Sequence, residues 1–214
     1  MKYLEFFELE TLTRKMTDMV IGSQLINGRV EAYSTKKVST EKKESVYLKT
    51  LANNSSEGVN DSEKNTTAVN LIQTLHASLY GYDFSSLMMN TDSFVLVSMM
   101  DVIKEVNGAL VEFTMHDDGF LGSLWTNIDG VIDLSKCTIY KLTDDPFVDP
   151  DGGTLWSFHY FFCNREAKRI IYFTCHATNK FRNAMDSYDE YNTDDDNMDE
   201  EDYDEENFKV KLKR

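Results

Sequence analysis

Histidines and carboxylates are the residues of this sequence best suited to acid–base or metal chemistry. They adjoin at His116, Asp117 and Asp118, where they could act as an acid–base group or hold the metal of a small hydrolase. Gly119 follows directly, and a turn between two helices with an Asp or Gly cap explains the cluster better. We therefore expect a structural turn here, with a metal-dependent hydrolase as a distant alternative.

A second acidic cluster, at 144–151, is spaced somewhat like a calcium loop but does not match the EF-hand pattern, so turn chemistry accounts for it. Motifs of the HExxH, GxSxG, phosphate-loop and GxGxxG types do not occur. The cysteines are Cys137, Cys163 and Cys175, an odd number without CxxC spacing, which argues against a zinc site and a disulfide framework. The sequence thus predicts a protein without catalytic residues, metal or cofactor.

Charge is concentrated at the C-terminus. Residues 186–206 hold thirteen carboxylates and no cation, so 186–214 carries −9 of the net −15 and the rest of the chain only −6. This balance disfavours direct binding to nucleic acid, which needs a basic surface. It suits a partner with a positively charged cleft, since opposite fields speed encounter. A purely solubilising appendage is the other interpretation of the tail.

Three hydroxyls lie in surroundings that protein kinases favour. Ser187 and Thr193 stand among acidic residues, and Ser39 follows Lys36 and Lys37. Phosphorylation would add about −1.5 to −2 charge at each site. These three are candidate phosphorylation sites.

Apolar periodicity predicts the helices that frame these segments. Residues 67–79, 92–114 and 120–131 repeat apolar side chains every three or four positions, and residues 1–20 do so loosely. Between them, the polar segment 39–66 is expected to be a mobile insertion with one short apolar patch. The start of the chain has glutamates where a signal peptide would be apolar, and no run is long enough to span a bilayer, so we expect a cytosolic or nuclear protein.

Strands are predicted in the last third of the chain. Segments 137–142, 154–163 and 169–175 are rich in aromatic and β-branched residues, and the tight connection 164–168 makes the last two an antiparallel hairpin. A turn is expected at 145–153, and another strand at 24–38, interrupted at Asn27-Gly28. In 154–163, alternation places Trp156, Phe158 and Tyr160 on one face, which either packs under helices or docks a partner.

This order of elements predicts an α+β fold. One mainly antiparallel sheet would carry the helices in a single globular domain over 1–180, followed by a disordered acidic tail over 181–214.

Four segments resemble the Maf-one family, the global negative regulators of RNA polymerase III transcription. They are MKYLEFFELE at the start, GRVEAYSTK at 28–36, YDFSSL at 82–87 and DPDGGTLWSFHYFFCNREAKRIIYF at 149–173. The resemblance implies helices on both faces of the sheet and a non-enzymatic repressor that shuttles between cytoplasm and nucleus in response to nutrients and stress. It also implies opposition by growth-linked kinases.

The resemblance further implies partners. The protein would bind RNA polymerase III, as a monomer, near the clamp and initiation subunits, and block engagement with the initiation factor that contains the TATA-binding protein. Exposed parts of the matching segments are the candidate polymerase-binding residues: Arg29, Glu31, Tyr33, Lys36, Tyr82, Asp83, Phe84, Trp156, Arg165, Lys168 and Arg169. The insertion 39–66 is shorter than is usual for the family, and the basic cluster at 165–169 is thin. The alternative function is an acidic-tailed chaperone or scaffold for basic proteins.

Overall fold

A computed structural model describes residues 1–37, 39–55, 62–90, 92–143 and 153–181. Residues Met1–Lys180 form one compact unit, and a second unit begins at Phe181. The predicted turn at 145–153 lies outside the described residues, apart from Gly153. The candidate phosphorylation sites Ser187 and Thr193 also lie outside them.

Seven strands form one sheet in which every pairing is antiparallel. The order is β1-β3-β7-β6-β5-β4, and β2 pairs with one end of β3. The long strands β3, β7 and β6 occupy the centre, and the short β1 and β4 lie at the edges. The strands are β1 (Lys2–Leu4), β2 (Met19–Ile21), β3 (Gln24–Ser34), β4 (Phe94–Val97), β5 (Thr138–Leu142), β6 (Thr154–Asn164) and β7 (Arg169–Asn179).

Among the described residues, five helices accompany the sheet: α1 (Phe7–Met16), α2 (Ser39–Ser55), α3 (Ser62–Ser78), α4 (Met99–Ala109) and α5 (Phe120–Ile132). Short 3₁₀ segments cover Ser85–Met89, Val111–Met115 and Leu134–Lys136. Within the described ranges, none of the helices has the length and apolar character needed to cross a bilayer.

Alternation along β6 divides the core between the two faces of the sheet. Phe158, Tyr160 and Phe162 pack with α1, α4 and α5 on one face. Phe161 packs with α2 and α3 on the other, beside Tyr172 of β7. This confirms the predicted α+β architecture with helices on both faces, and it shows that the aromatic run of β6 is core rather than an exposed docking face.

The strand predictions for the last third are confirmed, including the β6–β7 hairpin with its turn at 165–168. The predicted interruption of the first long strand is wrong, because β3 runs through Asn27-Gly28. A Cβ at Gly28 would lie 2.9 Å from Cys175 Sγ and 3.0 Å from Met16 Cβ. Glycine therefore permits the close approach of α1 and β7 to this strand.

The predicted helix over 92–114 is also wrong in its first part. Phe94–Val97 is the edge strand β4, paired with β5, and α4 begins only at Met99. Ser98 separates the two, because its Oγ accepts a hydrogen bond of 3.2 Å from the Asp101 backbone N–H and caps the helix. A short apolar run is compatible with the periodicity of a helix and with that of a strand, and here pairing with β5 makes it a strand.

Segment 39–66 differs from the mobile insertion that its composition predicts. Helix α2 occupies Ser39–Ser55 and α3 already begins at Ser62. Leu48 of α2 is fully buried, and Ser45 one turn earlier is 5% exposed. One narrow buried stripe is enough to pack this helix against its neighbours. The polar average composition of the segment does not reveal such a stripe. The N-terminal segment likewise holds β1 and β2 on either side of α1.

Candidate functional site

Three of the predicted polymerase-binding residues, Arg29, Glu31 and Tyr33, alternate along β3 and face the end of α3. The Glu31 carboxylate accepts hydrogen bonds from Tyr33 Oη at 2.9 Å, from Arg29 Nη1 at 3.4 Å and from the Ser78 hydroxyl. Arg29 Nη1 also donates to the Ser78 carbonyl oxygen at 3.2 Å. Burial is the main cause that raises the pKa of Tyr33, and the negative charge of Glu31 raises it further. This network fastens α3 to the sheet, so its first role is structural.

A second group, Tyr82, Asp83 and Phe84, lies in the loop after α3. His76 Nε2 accepts a hydrogen bond of 3.0 Å from the Phe84 backbone N–H, and His76 Nδ1 lies 2.7 Å from Glu44 Oε1 of α2. Phe84 is buried, whereas Tyr82 and Asp83 are exposed. A hydrogen bond from Ser85 lowers the pKa of Asp83. His76 thus ties α2, α3 and this loop together and leaves two polar side chains facing solvent.

Trp156 stands apart from both groups, at the beginning of β6. Its indole N–H donates to Gln24 Oε1 at 3.0 Å, and its ring stacks on Phe158 with centroids 6.0 Å apart. It packs against the core on the α1 side while remaining partly accessible. Trp156 therefore joins the beginning of β6 to the beginning of β3.

The four remaining candidates, Lys36, Arg165, Lys168 and Arg169, surround one concave site. A cavity of about 480 Å³ lies between the end of β3, the first turns of α3 and the β6–β7 turn. Arg165 Nη2 donates to Thr67 Oγ1 at 3.3 Å, and Arg169 Nη1 donates to the Val131 carbonyl at 2.9 Å. The Arg169 guanidinium also lies over the Phe6 ring, so it faces away from the cavity. We call this cavity, with Lys36, Arg165 and Lys168, the basic cleft.

Sequence reasoning identified the cations of this cleft but missed its neutral walls. Thr35 lines it directly after β3, Thr67 and Asn70 line it from α3, and Thr138 and Tyr140 line it from β5. These residues come from distant parts of the chain and form no motif. Only the sheet order, which brings β5 beside β6, could have revealed them.

Exposed apolar side chains are another feature that periodicity did not identify. Tyr80 beside the second group is 96% exposed, Leu96 of β4 65% and Met100 of α4 79%. Leu96 and Met100 belong to the stripe that the sequence predicted to be buried by one continuous helix. Instead, Leu96 is exposed on the strand β4 and Met100 is exposed at the beginning of α4.

Asp117 and the three cysteines lie in different surroundings. Asp117 forms an ion pair of 2.6 Å with Lys15, and hydrogen bonding to that lysine lowers the pKa of the carboxyl. No group of three or more His, Cys, Asp or Glu suited to a metal occurs among the described residues. Burial raises the pKa of Cys137 to about 11 and raises the pKa values of Cys163 and Cys175 as well, which suppresses thiolate formation.

Ser39, the third phosphorylation candidate, is the first residue of α2.

Comparison with known proteins identifies the family. The family model described as "Maf1 regulator" matches residues 26–174, which span β3 to β7. The repressor of RNA polymerase III transcription maf1 from Schizosaccharomyces pombe is 29% identical over 92% of this chain and 90% of its own length. The repressor of RNA polymerase III transcription from Dictyostelium discoideum is 26% identical over 85% of this chain and 86% of its own.

Solved structures agree with the sequence matches. A crystal structure of citrus MAF1 superposes with a TM-score of 0.67 at 25% identity and covers 80% of this chain and 99% of its own. A second crystal form gives a TM-score of 0.68 at 26% identity. The matched family model covers more than half of the chain and includes the long central strands, the network on β3 and the basic cleft. The chain therefore belongs to the Maf1 regulator family.

Proposed function

We propose that this protein represses transcription by RNA polymerase III and does so by binding the polymerase directly. The observation that carries the proposal is membership of the Maf1 regulator family over residues 26–174, with relatives named as repressors of this polymerase that match over about nine-tenths of their length. In this function the protein acts as a regulator rather than as an enzyme.

The exposed members of the candidate set are the ones we assign to the polymerase surface. Tyr82, Asp83, Lys36, Arg165 and Lys168 all present their side chains to solvent. Aromatic and arginine side chains contribute most to protein interfaces, so Tyr82 and Arg165 should dominate this contact. The more buried candidates on β3 act indirectly, by holding α3 and the loop after it in position.

The acidic tail supplies the second part of the proposed mechanism. Its thirteen carboxylates within residues 186–206 match the positive potential that any nucleic-acid cleft must carry. On the bound polymerase, the tail would then compete with promoter DNA for the cleft that the DNA enters. Engagement with the promoter-bound initiation factor is the step that fails, near the clamp and the initiation subunits.

Regulation follows from the same charges. We propose that growth-linked kinases modify Ser39, Ser187 or Thr193, and that the protein moves between cytoplasm and nucleus as nutrient supply changes. Each phosphate adds about −1.5 to −2 charge and so changes the electrostatic match to a partner.

The deciding experiment is factor-dependent transcription of a transfer RNA gene by purified RNA polymerase III, with RNA polymerase II as a parallel control. We expect dose-dependent loss of the polymerase III product alone, with relief on addition of more polymerase. Tyr82→Ala combined with Arg165→Ala should weaken repression and polymerase binding together. Tyr47→Ala, which removes a 56% exposed tyrosine from α2, is the matched control. Absence of both repression and binding for the wild-type protein would refute the proposal.

A second candidate function, a chaperone or scaffold for basic proteins, is favoured by the charge of the tail alone. It predicts binding to histone-like cations that persists in the Tyr82/Arg165 double variant and disappears when 186–206 is deleted. Polymerase-specific repression that depends on the folded surface would exclude it as the main activity.

A further inference from the structure

The basic cleft differs in charge from the rest of the molecule. The chain carries −15 overall, yet the cleft is lined by the cationic side chains of Lys36, Arg165 and Lys168 and, among the described residues, by no carboxylate. Glu166, in the same turn as two of the cations, instead pairs with Lys136 at 3.5 Å. A concave surface lined by one sign of charge concentrates the field within it, so the cleft attracts anions even on an acidic protein.

Two of these three cations form no ion pair among the described residues. They are Lys36 and Lys168, and both are exposed. Lys168 is held in the left-handed region at φ 53°, and its carbonyl oxygen accepts a hydrogen bond of 3.0 Å from the Thr35 N–H. That bond joins the β6–β7 turn to the end of β3. It anchors the backbone at Lys168 and next to Lys36 on one side of the cleft.

The neutral walls complement the cations. The Thr35 and Thr138 hydroxyls line the cleft from its two sides and can donate to oxyanions. Arg165 is oriented by its hydrogen bond to Thr67, which presents the planar guanidinium from the turn. Arginine and lysine together with hydroxyl groups are the usual partners of phosphate oxygens in proteins.

Size and charge define the ligand class. A volume of about 480 Å³ lies within the range of small-molecule sites and would accommodate a compact ligand. Three cations exceed what one phosphate neutralises, since a phosphate monoester carries at most about two charges. We propose that the basic cleft binds a small ligand with two or more phosphate groups, through Lys36, Lys168, Arg165 and the hydroxyls of Thr35 and Thr138. Lys36, Arg165 and Lys168 also belong to the proposed polymerase surface, so the ligand and the polymerase would compete for these three side chains.

The test is calorimetric titration of the full-length protein with inorganic pyrophosphate at low ionic strength, with inorganic phosphate in parallel and no polymerase present. Saturable binding at one site per chain is expected, with pyrophosphate bound at least about tenfold more tightly than phosphate, since one further charge-assisted hydrogen bond has that effect. The double variant Lys36→Gln/Lys168→Gln should weaken pyrophosphate binding by about tenfold or more on the same ground.

The matched control is Lys43→Gln/Lys104→Gln. It removes the same two charges from exposed positions on α2 and α4, away from the cleft, and should change the affinity by less than about twofold because only long-range, screened attraction is lost. Thermal unfolding of all variants checks that the fold is kept.

Three results would overturn the assignment. They are absence of saturable pyrophosphate binding, equal loss of affinity in both double variants, and equal affinity for phosphate and pyrophosphate. Tighter binding of single-stranded RNA or of a phosphoserine peptide, lost in Lys36→Gln/Lys168→Gln, would reassign the cleft to a macromolecule. Because the assay contains no polymerase, its result is independent of the transcription test.

Discussion

Glu31 is the polar residue on which the junction between β3 and α3 depends. Its carboxylate accepts hydrogen bonds from three side chains, and its side chain is only 16% exposed. Removing such an acceptor leaves several donors without a partner, which costs more than the hydrogen bonds themselves contribute.

Glu31→Ala should therefore lower the free energy of unfolding by about 1–3 kcal/mol, measured by urea denaturation. Glu5→Ala, at an exposed position before α1, should stay within about 0.5 kcal/mol of wild type. Equal effects of the two substitutions would mean that the network on β3 does not hold the structure together.

The raised pKa of Tyr33 predicts that the protein loses stability at alkaline pH. Burial and the neighbouring Glu31 raise its pKa in the folded state above the ordinary value near 10. The unfolded chain therefore loses this proton first as pH rises. The resulting stability is fully present below about pH 10 and is lost as pH rises above it.

We expect Tyr33→Phe to reduce the slope with which the free energy of unfolding falls between pH 9 and about 11. Tyr160, Cys163 and Cys175 have pKa values raised by burial and contribute with the same sign, so the slope should not vanish. Tyr80→Phe is the control, since Tyr80 is 96% exposed and its surroundings change little on unfolding. An unchanged slope in Tyr33→Phe would contradict the argument.

At the scale of elements, α2 is the helix whose existence depends most on tertiary contacts. Its sequence is polar, and its buried stripe centres on Leu48. Gln73 of α3 strengthens the contact, because its Nε2 donates to the Glu41 carbonyl at 3.0 Å and to Glu44 Oε2 at 2.9 Å. Helix α2 packs on α3 and on the 3₁₀ segment Ser85–Met89.

Leu48→Ala should destabilise the protein by about 2–5 kcal/mol, because it removes a fully buried side chain and leaves a cavity. Val46→Ala, two residues away and 65% exposed, is the matched control and should be nearly neutral. Hydrogen exchange of the α2 amides would show whether the loss is local. If both substitutions prove neutral, α2 does not pack as the structure shows.

At the scale of the whole molecule, charge is divided between a mildly acidic body, with −6 over residues 1–185, and a strongly acidic C-terminal segment. Deleting 186–206 should reduce both the affinity for RNA polymerase III and its dependence on salt, since each screened charge pair contributes to both. Fluorescence anisotropy with the labelled protein at several salt concentrations measures the two quantities. Unchanged values would show that the tail takes no part in binding.

Much of the architecture follows from local sequence. Alternating aromatic residues in 154–163 and the short connection to 169–175 specify the central hairpin, and the apolar stripe around Leu124 and Ile128 specifies α5. These patterns are strong because every position in them agrees with one periodicity. The family resemblance also rests on this part of the chain.

The sequence by itself thus determined the strand-rich end, the helices α3 and α5, the charge division and the family. Only the tertiary structure decided that 94–97 is an edge strand, that β3 continues through Gly28 and that 39–55 is helical. In each case a short or weak local pattern was outweighed by pairing or burial against a partner distant in sequence. For the same reason the basic cleft emerged only from the fold, since its cations and hydroxyls come from the ends of strands that meet only in the assembled sheet.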